Sequence, residues 1–216
     1  MPRRPKIPNP SKASVEHKRD TYHHGDLKRV LTEAALELVK EKGPKGFTLR
    51  EVARRAGVSA AAPYRHFADK SQLLAAVATQ GFVQLHETLS AAAALDKTDL
   101  QTQVLDMGRA YVHWAVNHPD YYQVMFGSEL DKTESPEVLE AGLKAFGDLL
   151  DTIVECQQAK FLPDGDPRAS AGPVWALLHG LSTLTIGSDL AHVDITEHPE
   201  AMAERALRAL LFEGPR

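Results

Sequence analysis

The apolar residues of this chain recur at steps of three and four, and over no useful length do they alternate with a step of two. The clearest case is residues 26–42, where one face carries Leu27, Val30, Leu31, Ala34, Ala35 and Leu38 before the Gly43-Pro44 break. This spacing places apolar side chains on one side of an α-helix, whereas a half-buried strand needs strict alternation. The sequence therefore predicts an all-α fold.

Helix start signals extend this prediction along the chain. Thr48 with Glu51 matches a capping box, and Asp69 with Gln72 repeats the signal before a longer helix. Three later patterns begin near prolines, where a missing N–H costs least. After the first helix, we predict helices over residues 49–56, 60–67, 70–94, 99–117, 120–126, 136–161, 167–190 and 199–212.

Charge is distributed unevenly along the chain. Residues 1–70 hold 16 Lys and Arg against 8 Asp and Glu, and residues 71–216 hold 9 against 21, for a net charge of −4. A basic first third on an acidic body indicates that the first third meets a polyanion. The single cysteine, Cys156, excludes an internal disulfide and favours a reducing compartment. Because no signal peptide or long apolar span is present, we expect a cytoplasmic protein that does not associate with membranes.

Three segments follow from these patterns. Residues 1–21 are rich in proline and basic residues and contain almost nothing apolar, which predicts a flexible basic arm. The arm either lies in a minor groove or is a solvated tail. Residues 22–72 are predicted to form a three-helix DNA-binding domain, and residues 73–216 a helical bundle.

The DNA-binding prediction rests on two short helices joined by a tight turn, as in a helix-turn-helix. Ala53 is small enough to let the helices cross closely, Gly57 permits the backbone angles of the turn, and Val58 fills the space beneath it. The second short helix begins with three alanines, residues 60–62, which allow its backbone to enter the major groove.

Neighbouring side chains supply the donors that DNA recognition needs. Arg50 and Arg65 can offer paired donors to a guanine edge or to phosphates, and we favour Arg50 for reading a base. The other candidates suit phosphate oxygens, which fix the register of the protein without reading sequence. They are Thr48, Tyr64, His66 and Lys70.

Several motifs resemble the N-terminal domain of the TetR family of bacterial transcriptional repressors. They are Tyr22-His23-His24-Gly25-Asp26-Leu27, Phe47-Thr48, Gly57-Val58, and Tyr64-Arg65-His66-Phe67 with Asp69-Lys70. The resemblance covers about residues 22–75 and implies a homodimer that binds a palindromic operator and is released by a small-molecule effector in its C-terminal domain. The DNA-facing positions that it implies are Thr48, Arg50, Ala60, Ala61, Ala62, Tyr64, Arg65, His66 and Lys70. Pro63 departs from the family pattern and, because proline removes a helical hydrogen bond, predicts an irregular start of the recognition helix.

A second resemblance concerns the C-terminal bundle. Trp175, His179 and Gly180 resemble a C-terminal domain type of this family that is named for those three residue types. We predict an apolar effector cavity with His113 and His179 as polar anchors. Its other predicted lining residues are Tyr111, Trp114, Tyr122, Met125, Phe126, Phe146 and Trp175. The alternative for each of them is the core or a subunit interface, where aromatic stripes at helical spacing usually pack.

The last helix raises a similar alternative. Its apolar stripe consists of Ala203, Ala206, Leu207, Leu210 and Leu211, and either a partner subunit or the core of the same chain would cover it. The resemblance implies that this helix and residues 167–190 form the dimer interface.

Other classes of protein fit the sequence less well. Residues 180–184 begin like a nucleophile elbow but lack its second glycine and the preceding strand. His17, His23 and His24 have no carboxylate or thiol at ligand spacing, so we expect no metal and no cofactor, and a metal site that contains His179 is the weaker alternative. We also expect no catalytic residue. A nonspecific architectural nucleic-acid-binding protein remains an alternative, but it has no need of the acidic, aromatic-rich body.

Overall fold

The computed structural model of the chain describes residues 24–95, 99–131 and 135–213, and the predicted basic arm at residues 1–21 lies outside them. The described residues are helical, with no strand among them, which confirms the all-α prediction. The helices are α1 (His24–Lys42), α2 (Leu49–Arg55), α3 (Lys70–Ala93), α4 (Leu100–Asn117), α5 (Pro119–Phe126), α6 (Pro136–Gln158), α7 (Pro167–Ile186), α8 (Asp189–His192) and α9 (Pro199–Leu211).

Local caps fix the helix starts, as the sequence predicts. The Thr48 hydroxyl accepts a hydrogen bond from the Glu51 backbone N–H, and the Glu51 carboxylate accepts one from the Thr48 N–H at 2.9 Å. The Asp69 carboxylate caps α3 by accepting from the Gln72 N–H at 2.9 Å. Each cap satisfies backbone donors that have no partner inside the helix.

The turn after α2 also matches its prediction. Gly57 adopts a φ of +68°, in the left-handed region that favours glycine, and the Val58 N–H donates to the Ala53 carbonyl at 2.9 Å. This hydrogen bond closes the end of α2 and directs the chain away from it. Val58 then packs against the core, as expected.

Two predicted helices differ from the structure. Residues 60–67 do not form an α-helix but a series of turns with a 3₁₀ helix at Pro63–Arg65. Pro63 explains the difference, because it has no N–H to donate and its ring crowds the preceding turn. The helix predicted over residues 167–190 ends at Ile186, since Ser188 adopts a left-handed φ of 62° before the separate short helix α8.

The core runs continuously from the first three helices into the bundle. Helix α3 carries this continuity, because it packs against α1 at its start and against α4, α5 and α6 further along. It also spans the predicted domain boundary between residues 72 and 73. We call residues 24–70 the head and the described residues from 71 to 213 the body. A second, smaller cluster around Ile153, Cys156 and Leu162 fills the end of the body.

Candidate functional site

The segment between α2 and α3 presents an exposed surface of small and polar side chains. Ala60, Ala61 and Arg65 are exposed, and 54 % of Tyr64 is exposed although its ring is largely apolar. Small side chains allow a backbone to approach a groove closely, and an exposed phenol supplies a hydrogen-bond donor. This surface therefore has the composition expected of a groove-reading element.

The arginines of the head differ in whether they are already paired. Arg55 donates to Glu37 at 3.0 Å and to Glu41 at 2.7 Å, both on α1, so its role is to hold α2 against α1. Within the described part of the chain, Arg50 and Arg65 make no ion pair, and both are exposed. Their donors are therefore available to an external anion.

Two other predicted phosphate donors are engaged inside the protein. The Thr48 hydroxyl donates to the Glu51 carboxylate at 3.0 Å as part of the cap, so its proton is already used. The Lys70 ammonium donates to the Lys45 carbonyl at 3.0 Å and lies 4.4 Å from the Phe47 ring centroid. Burial lowers the pKa of Lys70. An ammonium has further N–H groups, so Lys70 can still contact a phosphate, whereas Thr48 must first leave the cap.

Two further residues predicted to face DNA, His66 and Ala62, differ in how exposed they are. His66 is half-buried beside Phe67, with ring centroids 6.5 Å apart. Ala62 is only 9 % exposed and belongs to the core, so its prediction as a DNA-facing residue is corrected. The cause is the irregular segment around Pro63, which turns the third alanine inward while the first two remain outside.

The body contains an apolar cavity of about 290 Å³ among α3, α4, α5, α6 and α7. Most of its wall is aliphatic, and its side chains include Leu85, Leu89, Val138, Leu149, Val174 and Leu178. The lining side chains that remain exposed are Leu139, Leu143 and Trp175, so the opening lies beside α6 and α7. No lining residue carries a charge.

Four of the predicted ligand-contacting residues line this cavity. They are Tyr111, Phe126, Phe146 and Trp175. The rings of Phe146 and Trp175 meet edge to face at 6.0 Å across α6 and α7. Burial raises the pKa of Tyr111, so its phenol stays protonated.

A polar pair lies behind the cavity. The Tyr122 hydroxyl is 2.6 Å from His179 Nδ1, and the two rings stack at 5.4 Å. Both residues line a separate depression between α1 and the body, and Phe126 is the side chain shared by the cavity and that depression. The prediction that His179 anchors a ligand inside the cavity is therefore corrected. His179 lies outside the cavity lining and supports the wall through its contact with Tyr122.

Three predicted ligand-contacting residues do not line the cavity. His113 points outward with 66 % of its side chain exposed, and its Nδ1 is 3.0 Å from a Glu200 oxygen on α9. Trp114 is buried against His118, with ring centroids 5.0 Å apart, outside the cavity. Met125 is fully buried where α5 crosses α3.

Most of the aliphatic residues in the cavity wall could not be recognised from the sequence. Leu85 and Leu89 on α3 and Leu178 on α7 follow the same helical spacing as ordinary core residues, so no local signal marks them. Gly142, which also lines the cavity, has a clearer reason to be there than these leucines. A Cβ at this position would lie 3.5 Å from the Phe82 ring, so the glycine opens space between α3 and α6.

Two contacts connect the cavity wall to the head. Helix α5 ends at Phe126 in the wall, and the chain then brings Glu129 to 2.8 Å from the Lys45 ammonium in the head. Gly81 on α3 lets α5 approach closely, because a Cβ there would overlap the Met125 sulfur. A change at Phe126 thus has a short path to the turn that precedes α2.

One polar cluster resembles a catalytic triad in composition only. His86 Nδ1 is 2.6 Å from an Asp148 oxygen, and the Ser90 hydroxyl is 3.3 Å from the same nitrogen. A relay needs the serine and the carboxylate on opposite ring nitrogens, so this cluster ties α3 to α6 instead. Ser182 of the elbow-like stretch is buried inside α7.

The described residues contain neither a metal-binding cluster nor a membrane-spanning helix. Across residues 24–95, 99–131 and 135–213, no group of three or more His, Cys, Asp or Glu has the arrangement to hold a metal ion. None of the helices in these ranges is both long and apolar enough to cross a membrane.

Taken together, the fold and the surface define a helix-turn-helix head joined to a helical body. Two family models match the chain: one described as bacterial regulatory proteins of the tetR family, over residues 31–77, and one described as the tetracyclin repressor-like C-terminal domain, over residues 104–210. The chain therefore belongs to the TetR family, and the resemblance seen in the sequence is confirmed.

Individual relatives agree with this assignment. The HTH-type transcriptional regulator Rv1816 of Mycobacterium tuberculosis is 27 % identical over 52 % of this chain and 50 % of its own length. YobS of Bacillus subtilis, an HTH-type transcriptional regulator, is 24 % identical over 50 % of this chain and 56 % of its own. The chain thus spans about half the length of the curated relatives it matches.

Solved structures show the same fold. A protein of unknown function from Rhodococcus sp. RHA1 superposes with a TM-score of 0.78 at 31 % identity, covering 89 % of this chain and 97 % of that one. The regulator FadR of Bacillus subtilis, solved in complex with stearoyl-CoA, has a TM-score of 0.69 at 16 % identity, covering 85 % and 97 %. The second likeness concerns the fold alone.

Proposed function

We propose that this protein is a homodimeric repressor that binds a palindromic operator and releases it when a small molecule occupies the body. The observation that carries the proposal is the pair of exposed arginines, Arg50 and Arg65, which make no ion pair with any described residue and lie beside the exposed alanines 60 and 61. A regulator of this kind acts on the chromosome, so we also propose that it works in the cytoplasm and has no enzymatic activity.

Each part of the head has a distinct proposed role on DNA. The segment with Ala60 and Ala61 enters the major groove, where alanine methyls contact thymine methyls. Arg50 reads a base edge, and Arg65, Tyr64, His66 and Lys70 contact phosphates. We leave Ala62 out because it is buried, and Thr48 out because its hydroxyl caps α2.

The proposed dimer forms through α7 and α9. These helices pack against each other, and Leu184 on α7 and Leu210 on α9 remain more than 40 % exposed. Ala203 and Leu207 of the apolar stripe are fully buried in the chain itself, so only the outer part of the stripe is available to a partner. Pairing the outer faces of four helices would remove this apolar surface from water.

Release by an effector is proposed to act through α5. A ligand in the cavity contacts Phe126, the last residue of α5, and the chain just beyond it carries Glu129 toward Lys45 in the head. Moving this segment changes the angle between head and body, and in a dimer it changes the spacing between the two heads. To shift the protein from mostly bound to mostly free, the effector must favour the released arrangement by about 5 kcal/mol.

Selection of bound fragments from random duplex DNA tests the proposal. We expect a twofold-symmetric consensus, protected by two copies of the chain, with half-sites about one helical turn apart. An unsymmetrical footprint, or enrichment of no sequence at all, would contradict the repressor and favour the architectural alternative.

Three variants separate the roles of the head residues. Arg50→Ala should relax the preference at one base pair of each half-site, whereas Tyr64→Phe should weaken binding to all sequences alike. Arg54→Ala is the matched control, because it removes the same charge from the same helix at an exposed position that makes no ion pair with the described residues. If Arg54→Ala relaxed the base preference and Arg50→Ala did not, the proposed assignment of Arg50 would be wrong.

A further inference from the structure

One polar group in the wall of the cavity is poorly hydrogen-bonded. Tyr111 is 5 % exposed, and among the described residues its hydroxyl makes no hydrogen bond of good geometry, although the Tyr122 hydroxyl and the Trp175 indole N–H lie near it. Buried hydroxyls are nearly always paired, because an unpaired one loses its bonds to water without compensation. The neighbouring Tyr122 hydroxyl is already bonded to His179 at 2.6 Å. Tyr111 is therefore the group that a bound molecule would satisfy.

The wall selects against charge. Its lining residues include no Lys, Arg, His, Asp or Glu, and the other polar group in it is the indole N–H of Trp175, which can only donate. A carboxylate or phosphate placed here would lose its hydration without gaining a countercharge. Because burial raises the pKa of Tyr111, its hydroxyl also remains a neutral donor. A neutral hydroxyl donor in an uncharged wall favours a ligand that carries an acceptor oxygen but no charge.

The volume of the cavity limits the size of the ligand. About 290 Å³ corresponds to roughly ten groups of the size of a water molecule, at about 30 Å³ each. The side chains at the opening, Leu139, Leu143 and Trp175, are apolar and exposed, so they offer a ligand no countercharge there.

We infer that the cavity binds an uncharged, largely hydrocarbon molecule of about ten non-hydrogen atoms, whose single carbonyl or hydroxyl oxygen accepts a hydrogen bond from Tyr111. This inference rests on the proposed function, because it names the chemical class of the effector. It argues against any ligand whose carboxylate or phosphate would lie inside the cavity.

Three molecules of matched shape test the inference by calorimetric titration of the full chain without DNA. They are benzylacetone, which carries a ketone, hydrocinnamate, which carries a carboxylate in its place, and isopentylbenzene, which carries no oxygen. We expect benzylacetone to bind most tightly, and hydrocinnamate to bind at least tenfold more weakly at neutral pH. Equal or tighter binding of hydrocinnamate, or saturable binding of none of the three, would overturn the inference.

Substitution of the tyrosine isolates the hydrogen bond. Tyr111→Phe should weaken benzylacetone binding about three- to tenfold and leave isopentylbenzene binding within about twofold. Tyr121→Phe is the matched control, because Tyr121 lies on α5 outside the cavity lining, and we expect wild-type affinities from it. A melting temperature measured for each variant identifies any general loss of structure. An unchanged ketone affinity in a folded Tyr111→Phe protein would contradict the role of Tyr111.

Measurements of ligand binding and of operator release distinguish a failure of the inference from a failure of the proposed function. Benzylacetone that binds in the calorimeter but does not dissociate the selected operator would leave the ligand class standing and contradict release by an effector. Conversely, an operator complex that dissociates with hydrocinnamate but not with benzylacetone would support release and overturn the ligand class.

Discussion

Replacing Gly81 with alanine tests the close contact between α3 and α5, the helix that links the cavity to the head. A Cβ at residue 81 would overlap the Met125 sulfur and lie 3.1 Å from both Met125 Cγ and Tyr121 Cδ1. Met125 is fully buried, so its side chain has little room to move aside. We therefore expect α5 to be pushed away from α3.

Two opposing effects set the magnitude. Alanine in place of glycine inside a helix stabilises the helix by about 1 kcal/mol. Overpacking a filled interior costs about 1 to 3 kcal/mol. The expected net change for Gly81→Ala is thus a loss of about 0 to 2 kcal/mol in the free energy of unfolding.

Gly147→Ala is the matched control, because no described atom lies within 4 Å of the Cβ that it would add to α6. We expect this variant to be more stable than the wild type by about 0.5 to 1 kcal/mol. Urea unfolding at one fixed protein concentration measures both variants. If Gly81→Ala were stabilised as much as Gly147→Ala, the close approach of α5 to α3 would be refuted.

Other substitutions test the caps and the core. The pKa of Glu51 is lowered to about 2 by its hydrogen bonds with Lys42 and Thr48, so its stabilisation of α2 is present above pH 4.5 and is lost as the pH falls toward 2. Glu51→Gln should therefore lower the urea midpoint at pH 7 and change it less at pH 3; an equal change at both would contradict the ionised cap. Leu207→Ala should cost about 2 to 5 kcal/mol, since Leu207 is fully buried beside Gly108, whereas Leu95→Ala, at an exposed position, should change stability by less than about 0.5 kcal/mol.

Helix positions in this chain could be predicted because their signals are local. The capping box at Thr48 and Glu51 and the Gly57 turn involve residues within a few positions of one another, and the structure contains both. The recognition segment was predicted less well. Pro63 warned of an irregular start, but the sequence did not show that its effect reaches Ala62 and turns that side chain into the core.

The cavity was predicted only in part, because its wall is assembled from five helices. The sequence predicts both Tyr111 and His113 as lining residues. Residues two positions apart on an α-helix point in directions about 200° apart, so only one of these two can face the cavity. That spacing was available in the sequence and argues against His113. No such signal distinguishes the cavity residues Leu89 and Leu178 from ordinary core, since only tertiary packing leaves space beside them.

The affinity of the full chain for its selected duplex, measured as salt is raised, is the most direct test of DNA binding by the head. We expect the logarithm of the association constant to fall linearly with the logarithm of salt concentration, with a slope of about −0.9 for each phosphate contact. We also expect the selected duplex to bind at least about 10³-fold more tightly than an unrelated one. Affinity that is absent, or that does not respond to salt for any duplex, would contradict the function proposed for this protein.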